Sequence, residues 1–130
     1  MPIISLQVSE DLLERFEKVR NLSGFSSKSE ALRDSIISFI ERNEKFENLD
    51  GYKIMVIDLV YPFKDIINDQ ISDTYSRFHR IIKTITDWRI AEKKIELLLV
   101  VGEIDIIRDL YKELAKIKDI ICSIRELIID

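Results

Sequence analysis

A single cysteine, Cys122, and a single histidine, His79, occur in 130 residues. One cysteine excludes an internal disulfide. One histidine excludes a metal centre that draws several imidazoles from the same chain. Glycine is scarce, at three residues, and proline scarcer, at two. No glycine-rich phosphate loop exists. No apolar stretch approaches the roughly 18 residues that a membrane span needs. The opening MPIISLQVSEDLL has no basic segment and turns acidic by residue 10, so it does not read as a secretory signal. With one cysteine, a reducing, cytoplasmic setting is the expectation. Positive charge is not in excess either: 20 basic residues face 24 acidic ones, a net charge of −4. That argues against a general polyanion binder or a basic membrane patch. It leaves open sequence-specific DNA recognition through a small local face. What is present is 46% hydrophobic and 34% charged residues, which supports a buried core and argues against disorder. The length holds one ordinary domain or two small ones.

The three glycines, Gly24, Gly51 and Gly102, each stand where the hydrophobic period changes. In residues 3–8, Ile4, Leu6 and Val8 fall on one face of an extended strand, and Ile3, Ser5 and Gln7 on the other. Ser9 then opens a helix with Glu10 and Asp11 in its first turn, where the helix dipole favours them. Leu12, Leu13, Phe16 and Val19 keep helical spacing, and Gly24 is a natural stop. Ser27 with Glu30 forms the pattern of a capping box at the start of a second helix. Ala31, Leu32, Ser35, Ile36, Phe39 and Ile40 make its apolar stripe. Residues 43–50 are charged and lose the period, reading as a helix end plus linker.

From Gly51 the order reads strand, helix, strand, strand, helix, strand. Residues 52–60 are rich in β-branched side chains and bounded by Pro62. Residues 63–82 carry helical spacing through Ile66, Ile67, Ile71, Tyr75, Phe78 and Ile82. A weakly alternating strand at 84–90 is followed by a polar hinge, Glu92-Lys93-Lys94. Residues 95–101 read as the apolar run of a central strand. An amphipathic helix at 104–117 and a last strand at 120–129 complete the split βαβ order of ferredoxin-like folds. The domains are therefore expected at 1–45 and 51–130.

The strand at 3–8 has no partner within its own domain, because the next two elements are helices. Unpaired backbone donors and acceptors are costly wherever they are buried. About 45 residues also bury too little surface to be stable alone. Both problems disappear when two chains pair these strands antiparallel over four helices. Dimerisation follows from energetics.

A strand-helix-helix of this length, with GFSSKSEALRDSI across the turn and second helix, resembles the ribbon-helix-helix (CopG-type) DNA-binding class. More narrowly the chain resembles the nickel-responsive regulator family, which joins such an arm to an ACT-like, ferredoxin-fold C-terminal domain. Ser29-Glu30-Ala31-Leu32-Arg33-Asp34 and Val100-Val101-Gly102-Glu103 are its specific parts, and it spans essentially the whole chain. It implies an α+β protein: a βαα arm intertwined as a dimer, joined to a βαββαβ domain. It further implies a transcriptional regulator of repressor type, not an enzyme. Its partners would be double-stranded DNA at a palindromic operator and further copies of the chain, as a homodimer through the strand and a homotetramer through the second domain.

In that class the paired strands enter the major groove with their outward side chains on the bases. Here those positions are Ile3, Ser5 and Gln7. Gln7 suits a bidentate contact to adenine, Ser5 suits several bases, and Ile3 offers only contact to a thymine methyl. The bland reading is the solvent face of an edge ribbon. Phosphate anchoring falls to the start of the second helix, with Ser26, Ser27 and Lys28 beside its free N–H groups. That role is compatible with an ordinary cap. Arg33 either reaches the DNA backbone or pairs with Glu30 or Asp34 for a few tenths of a kcal/mol. Residues 1–47 have seven basic and nine acidic side chains, so non-specific affinity is expected to be low and salt-sensitive.

The family's nickel site uses three histidines and a cysteine in a square plane, a donor set that selects Ni(II). Aligned through residues 95–103, those positions are occupied by Tyr75, Thr86, Trp88 and Lys94. None is a nickel ligand in this form, and an ammonium at Lys94 repels a cation. Loss of the nickel site and no other cofactor are the expectation. Glu30 and Asp34 match positions of a weaker cation site in the family, with an exposed acidic pair as the plainer reading. His79 reads as a half-buried helix residue and Cys122 as a small hydrophobe in a terminal strand. The loop of residues 60–64 has no glycine, so backbone approach to an amino-acid ligand is harder than in other ACT-like domains. Two alternatives stand beside this reading: an antitoxin-like ribbon-helix-helix interaction protein, and a regulator sensing another metal or a small ligand.

Overall fold

Helices and strands follow the changes of hydrophobic period over most of the chain in the computed structural model, which describes residues 1–127. The chain divides between Asn48 and Leu49 into two units.

The first unit holds α1 (Glu10–Ser23) and α2 (Lys28–Glu47). Ser9 caps α1, its Oγ accepting the Leu12 N–H at 3.2 Å, and Gly24 ends the helix at φ 78°. Ser27 caps α2 by accepting the Glu30 N–H at 3.1 Å. The reciprocal half of the expected capping box is replaced: the Glu30 carboxylate takes the Ser26 hydroxyl at 2.6 Å instead. The helix also outruns its expected end. Residues 43–47, read as the start of a linker, remain helical to Glu47. Glu44, Lys45 and Glu47 are good helix formers, and the Asn48 N–H closes the helix on the carbonyls of Glu44 and Lys45. Residues 1–9 form neither a helix nor a paired strand in the single chain. The ladder expected at 3–8 has nothing to pair with here, and a strand without a partner makes no ladder.

In the second unit the elements are β1 (Tyr52–Pro62), α3 (Asp65–Arg77), β2 (Ile82–Ile90), β3 (Lys93–Glu103), α4 (Ile104–Lys116) and β4 (Ile121–Glu126). The sheet order is β2-β3-β1-β4 with every neighbour antiparallel, the ferredoxin-like arrangement. The register sets Leu98 and Ile124 on either side of Ile57, so one face alternates inward through Met55, Ile57, Leu59, Leu98 and Val100. Against it lie Ile107, Leu110 and Leu114 of α4 and Ile67 and Ile71 of α3, all buried. The other face, through Val56, Leu97, Leu99, Trp88 and Ile121, points away from both helices.

Three boundaries differ from the sequence expectation. The helix expected to reach Ile82 stops at Arg77, and Ile81 N–H bonds to Phe78 O in the following turn. Ile81 and Ile82 fit a helical period, but Ile81 lies in the turn and the β-branched Ile82 begins β2. Lys93 and Lys94, expected in a hinge, already belong to β3, because Ala91 (φ 54°) and Glu92 make a two-residue hairpin turn. Of the strand expected at 120–129, residues 121–126 are paired, and 128–130 lie outside the described residues. Among the described residues no helix is long and apolar enough to cross a membrane.

Gly102 carries a packing constraint that length and composition hide. A Cβ at this position would lie 2.8 Å from Cγ2 of Ile81, a buried side chain whose own carbonyl accepts the Val101 N–H at 2.8 Å. The branched methyl cannot swing away without leaving the core. Gly102→Ala should therefore destabilise the protein by about 1–3 kcal/mol. Urea or thermal denaturation checks this, and an unchanged midpoint would contradict it.

Candidate functional site

Alternation along residues 3–8 puts Ile3, Ser5 and Gln7 on one side of the chain and Ile4, Leu6 and Val8 on the other, and all six are exposed. Ile4 is 83% exposed and Leu6 77%, an apolar row with nothing over it. The helices behave alike. Leu12, Leu22, Ile36, Ile37, Phe39 and Ile40 are exposed, no residue of α1 is buried, and only Ala31 and Phe46 of α2 are. A 48-residue unit with so little interior is a half-structure.

At the start of α2, the candidate phosphate anchors are already in use. The Ser27 hydroxyl caps the helix, Ser26 donates to Glu30, and the Lys28 ammonium lies 3.2 Å from Glu17. Glu17 also receives Arg20 at 2.7 Å, and these two hydrogen bonds, Arg20 first and Lys28 second, hold its carboxyl below the usual range. Arg33 is exposed and has no ion pair with Glu30 or Asp34. It stands free to reach outward. Glu30 and Asp34 are both exposed, and the Glu30 carboxylate is engaged by Ser26.

The four positions expected from the resemblance to match nickel ligands are not gathered by one chain. Tyr75, on α3, and Lys94, on β3, line one cavity together with Asp87. Thr86 and Trp88 flank Asp87 on β2 and therefore point to the opposite face. Tyr75 Oη donates to Glu96 Oε1 at 3.2 Å, and Lys94 Nζ lies 3.7 Å from Asp87. These residues do not fit nickel: a protonated phenol, a hydroxyl, an indole and an ammonium supply no imidazole and no thiolate. Among the described residues, no group of three or more His, Cys, Asp and Glu side chains stands together as a metal site. His79, read as a helix residue, sits beyond the end of α3 with Nδ1 at 3.0 Å from the Ser76 carbonyl, because the helix stops at Arg77. Cys122 is half-buried, and burial pushes its thiol up.

Sequence reasoning passed over a residue beside these positions. Glu96 interrupts the apolar run of β3 and is 3% exposed, with its Oε1 accepting the hydroxyls of both Tyr61 and Tyr75. A lone acid on the inward face of a central strand is the signal that marks it, since such a group needs hydrogen-bond partners. Burial, then hydrogen bonding to Glu96, raises Tyr61, while burial and the charge of Glu96 raise Tyr75.

Residues 3–43 match the model of the family described as "Ribbon-helix-helix protein, copG family". Over 117 residues the chain is 34% identical to a protein of Dictyoglomus turgidum named "Putative nickel-responsive regulator", covering 87% of this chain and 84% of that one. A protein of the same name from Dictyoglomus thermophilum is 32% identical over 119 residues, with the same shares. Among solved structures, an uncharacterized protein of Thermotoga maritima superposes with a TM-score of 0.58 at 15% identity, over 60% of this chain and all of that one. At that identity it speaks for the fold alone.

Two phenols held protonated make stability depend on pH. A tyrosine whose ionisation is raised by folding contributes fully below its unfolded value, about 10. That contribution is lost as pH climbs toward the folded value. The urea midpoint should fall above about pH 10. Tyr61→Phe and Tyr75→Phe should each flatten the alkaline limb. Equal slopes in both variants and the parent would contradict the Glu96 cluster.

Proposed function

This chain belongs to the nickel-responsive regulator family, DNA-binding transcriptional regulators and not enzymes, and from that premise we propose a repressor of a palindromic operator whose nickel site is lost. The observation that carries the reading is the bare apolar row of Ile4, Leu6 and Val8 beside the polar row of Ser5 and Gln7. Pairing two such segments covers the first row and leaves the second outward, as a two-stranded ribbon for the major groove. Ser5 and Gln7 then meet base edges, and Ile3 adds apolar contact. Ser26, Ser27 and Lys28 at the start of α2, with Arg33 one turn further on, hold phosphates and set the register. Bound there, the dimer occludes the promoter.

The domains are an arm at 1–45 and an assembly domain at 51–130. The helix-free sheet face supports the second role. Leu97 is 39% exposed, Trp88 48% and Ile121 73%, so pairing of two dimers through this face would bury an apolar surface and yield a tetramer for a split operator. Nickel has no part in this reading. The ammonium of Lys94 and the engaged phenol of Tyr75 stand where the family keeps ligands. The rival antitoxin-like reading expects a tail without its own core, whereas Ile57, Leu98 and Leu110 are fully buried in the second unit. The protein is expected in the cytoplasm, where the operator is.

Genome-wide co-precipitation would deliver the operator, and gel shifts on it test the reading. Gln7→Ala should cost about 1–3 kcal/mol on the operator and relax discrimination at one base pair. Arg33→Ala should weaken all sequences alike and lower the salt slope by about 1. Added Ni(II) should leave the operator affinity unchanged. Equal binding to every duplex would sink operator recognition, and tighter binding with nickel would sink the lost site.

A further inference from the structure

Between α3 and the β2–β3 hairpin lies a cavity of about 290 Å³, at the lower end of the range of small-molecule sites. Its floor is Glu96, its sides are Tyr61, Tyr75 and Asn68, and its mouth is Asp87 beside Lys94. Its charged lining sets two carboxylates, Asp87 and Glu96, against one ammonium, Lys94. Both phenol hydroxyls are spent on Glu96 Oε1, leaving the other carboxylate oxygen with no partner among the described residues. Asn68 Oδ1 is buried and has no partner either. Lys94 supplies positive charge, but its Nζ is drawn 3.7 Å from Asp87, which is half-exposed at the rim. Two acceptors without a protein partner and a second carboxylate therefore face a space whose donors are the Lys94 ammonium, the Ser72 hydroxyl and the Asn68 amide. Ile71 and Ile85 form an apolar wall.

We infer that this cavity binds a compact organic cation carrying an ammonium or amidinium group, with Glu96 and Asn68 accepting its N–H groups and Asp87 countering its charge at the mouth. Multiple N–H donors on one charged centre satisfy both orphaned acceptors at once, and charge-assisted hydrogen bonds to a desolvated carboxylate are the stronger kind. A transition metal is a poorer occupant. The lining offers no imidazole or thiolate, and Lys94 opposes a divalent charge. An anion is poorer still, since the carboxylates of Glu96 and Asp87 outnumber the one ammonium of Lys94. The inference stands whether or not the arm reads an operator.

The test is a titration of the isotope-labelled full chain with methylguanidinium and butylammonium chlorides, followed by amide chemical shifts, with sodium chloride at matched ionic strength. Saturable shifts centred on Asn68, Ile85 and Glu96 are expected for at least one of the two compounds. Asp87→Asn, at an exposed rim position, should weaken binding by roughly tenfold. Glu96→Gln should weaken it further. Lys94→Met, which frees Asp87, should tighten it. Shifts that never saturate, that sodium chloride reproduces, or that Mn(II) alone reproduces would overturn the inference. So would Asp87→Asn and Lys94→Met binding like the parent. Operator affinity, measured by gel shift without either compound, reports separately on the arm.

Discussion

A backbone segment that alternates apolar and polar side chains cannot be stable by itself, because its N–H and C=O groups need a ladder and its apolar row needs a cover. Residues 3–8 are such a segment, and the first unit depends on how that need is met. α1 and α2 do not meet it. They too leave Leu12, Ile36, Phe39 and Ile40 in the open. Three incomplete surfaces on 48 residues are one requirement, met when a second copy arrives. Ribbon-helix-helix regulators dimerise, and here the reason is visible in side-chain exposure: the same event that closes the core creates the ribbon. In the proposed reading, folding of the arm and formation of its DNA-reading surface are coupled, so a mutation in Ile4 or Leu6 would remove recognition without touching a base contact.

The second unit solves its problem within one chain. Ile57 sits between Leu98 and Ile124 in adjacent strands, with α4 laid over them. Its burial is one-faced, which is why β3 reads as an inner strand by composition and yet leaves Leu97 exposed. Antiparallel sheets can present one face outward. When that face is apolar, it is matter for assembly.

Much of this was legible in the residues. Ser9, Gly24 and Ser27 mark helix ends by local chemistry, and local chemistry survives in the fold. The order of six elements after Gly51 was readable because strands and helices there differ in period. Boundaries failed where two signals overlapped. Ile81 and Ile82 fit a helical repeat as well as a strand, and the charged residues at 43–47 resemble a linker while favouring helix. The two-residue turn at Ala91-Glu92 was hidden because alanine at φ 54° is not a residue one expects there. The Glu96 cluster was illegible for a different reason. It joins Tyr61, Tyr75 and Glu96 from three elements, and nothing in sequence spacing says that they meet.

That cluster also bears on how such a domain can change its chemistry and keep its fold. Tyr75 and Lys94 line the cavity between α3 and the hairpin and Thr86 and Trp88 lie on the outer face of β2, while Ile57, Leu98, Ile107 and Leu110 form the interior. No core side chain would have to move for a ligand set at the rim to be exchanged. The positive charge of Lys94 is met by Asp87, its neighbour across the strands, at the surface, where an ion pair contributes little to stability. Glu96 is different, because a buried carboxylate stripped of its phenols would be left without compensation. The rim can therefore vary freely only outside Glu96 and its two tyrosines. Chemistry in this domain is constrained by that one acid more than by Thr86, Trp88 or Lys94.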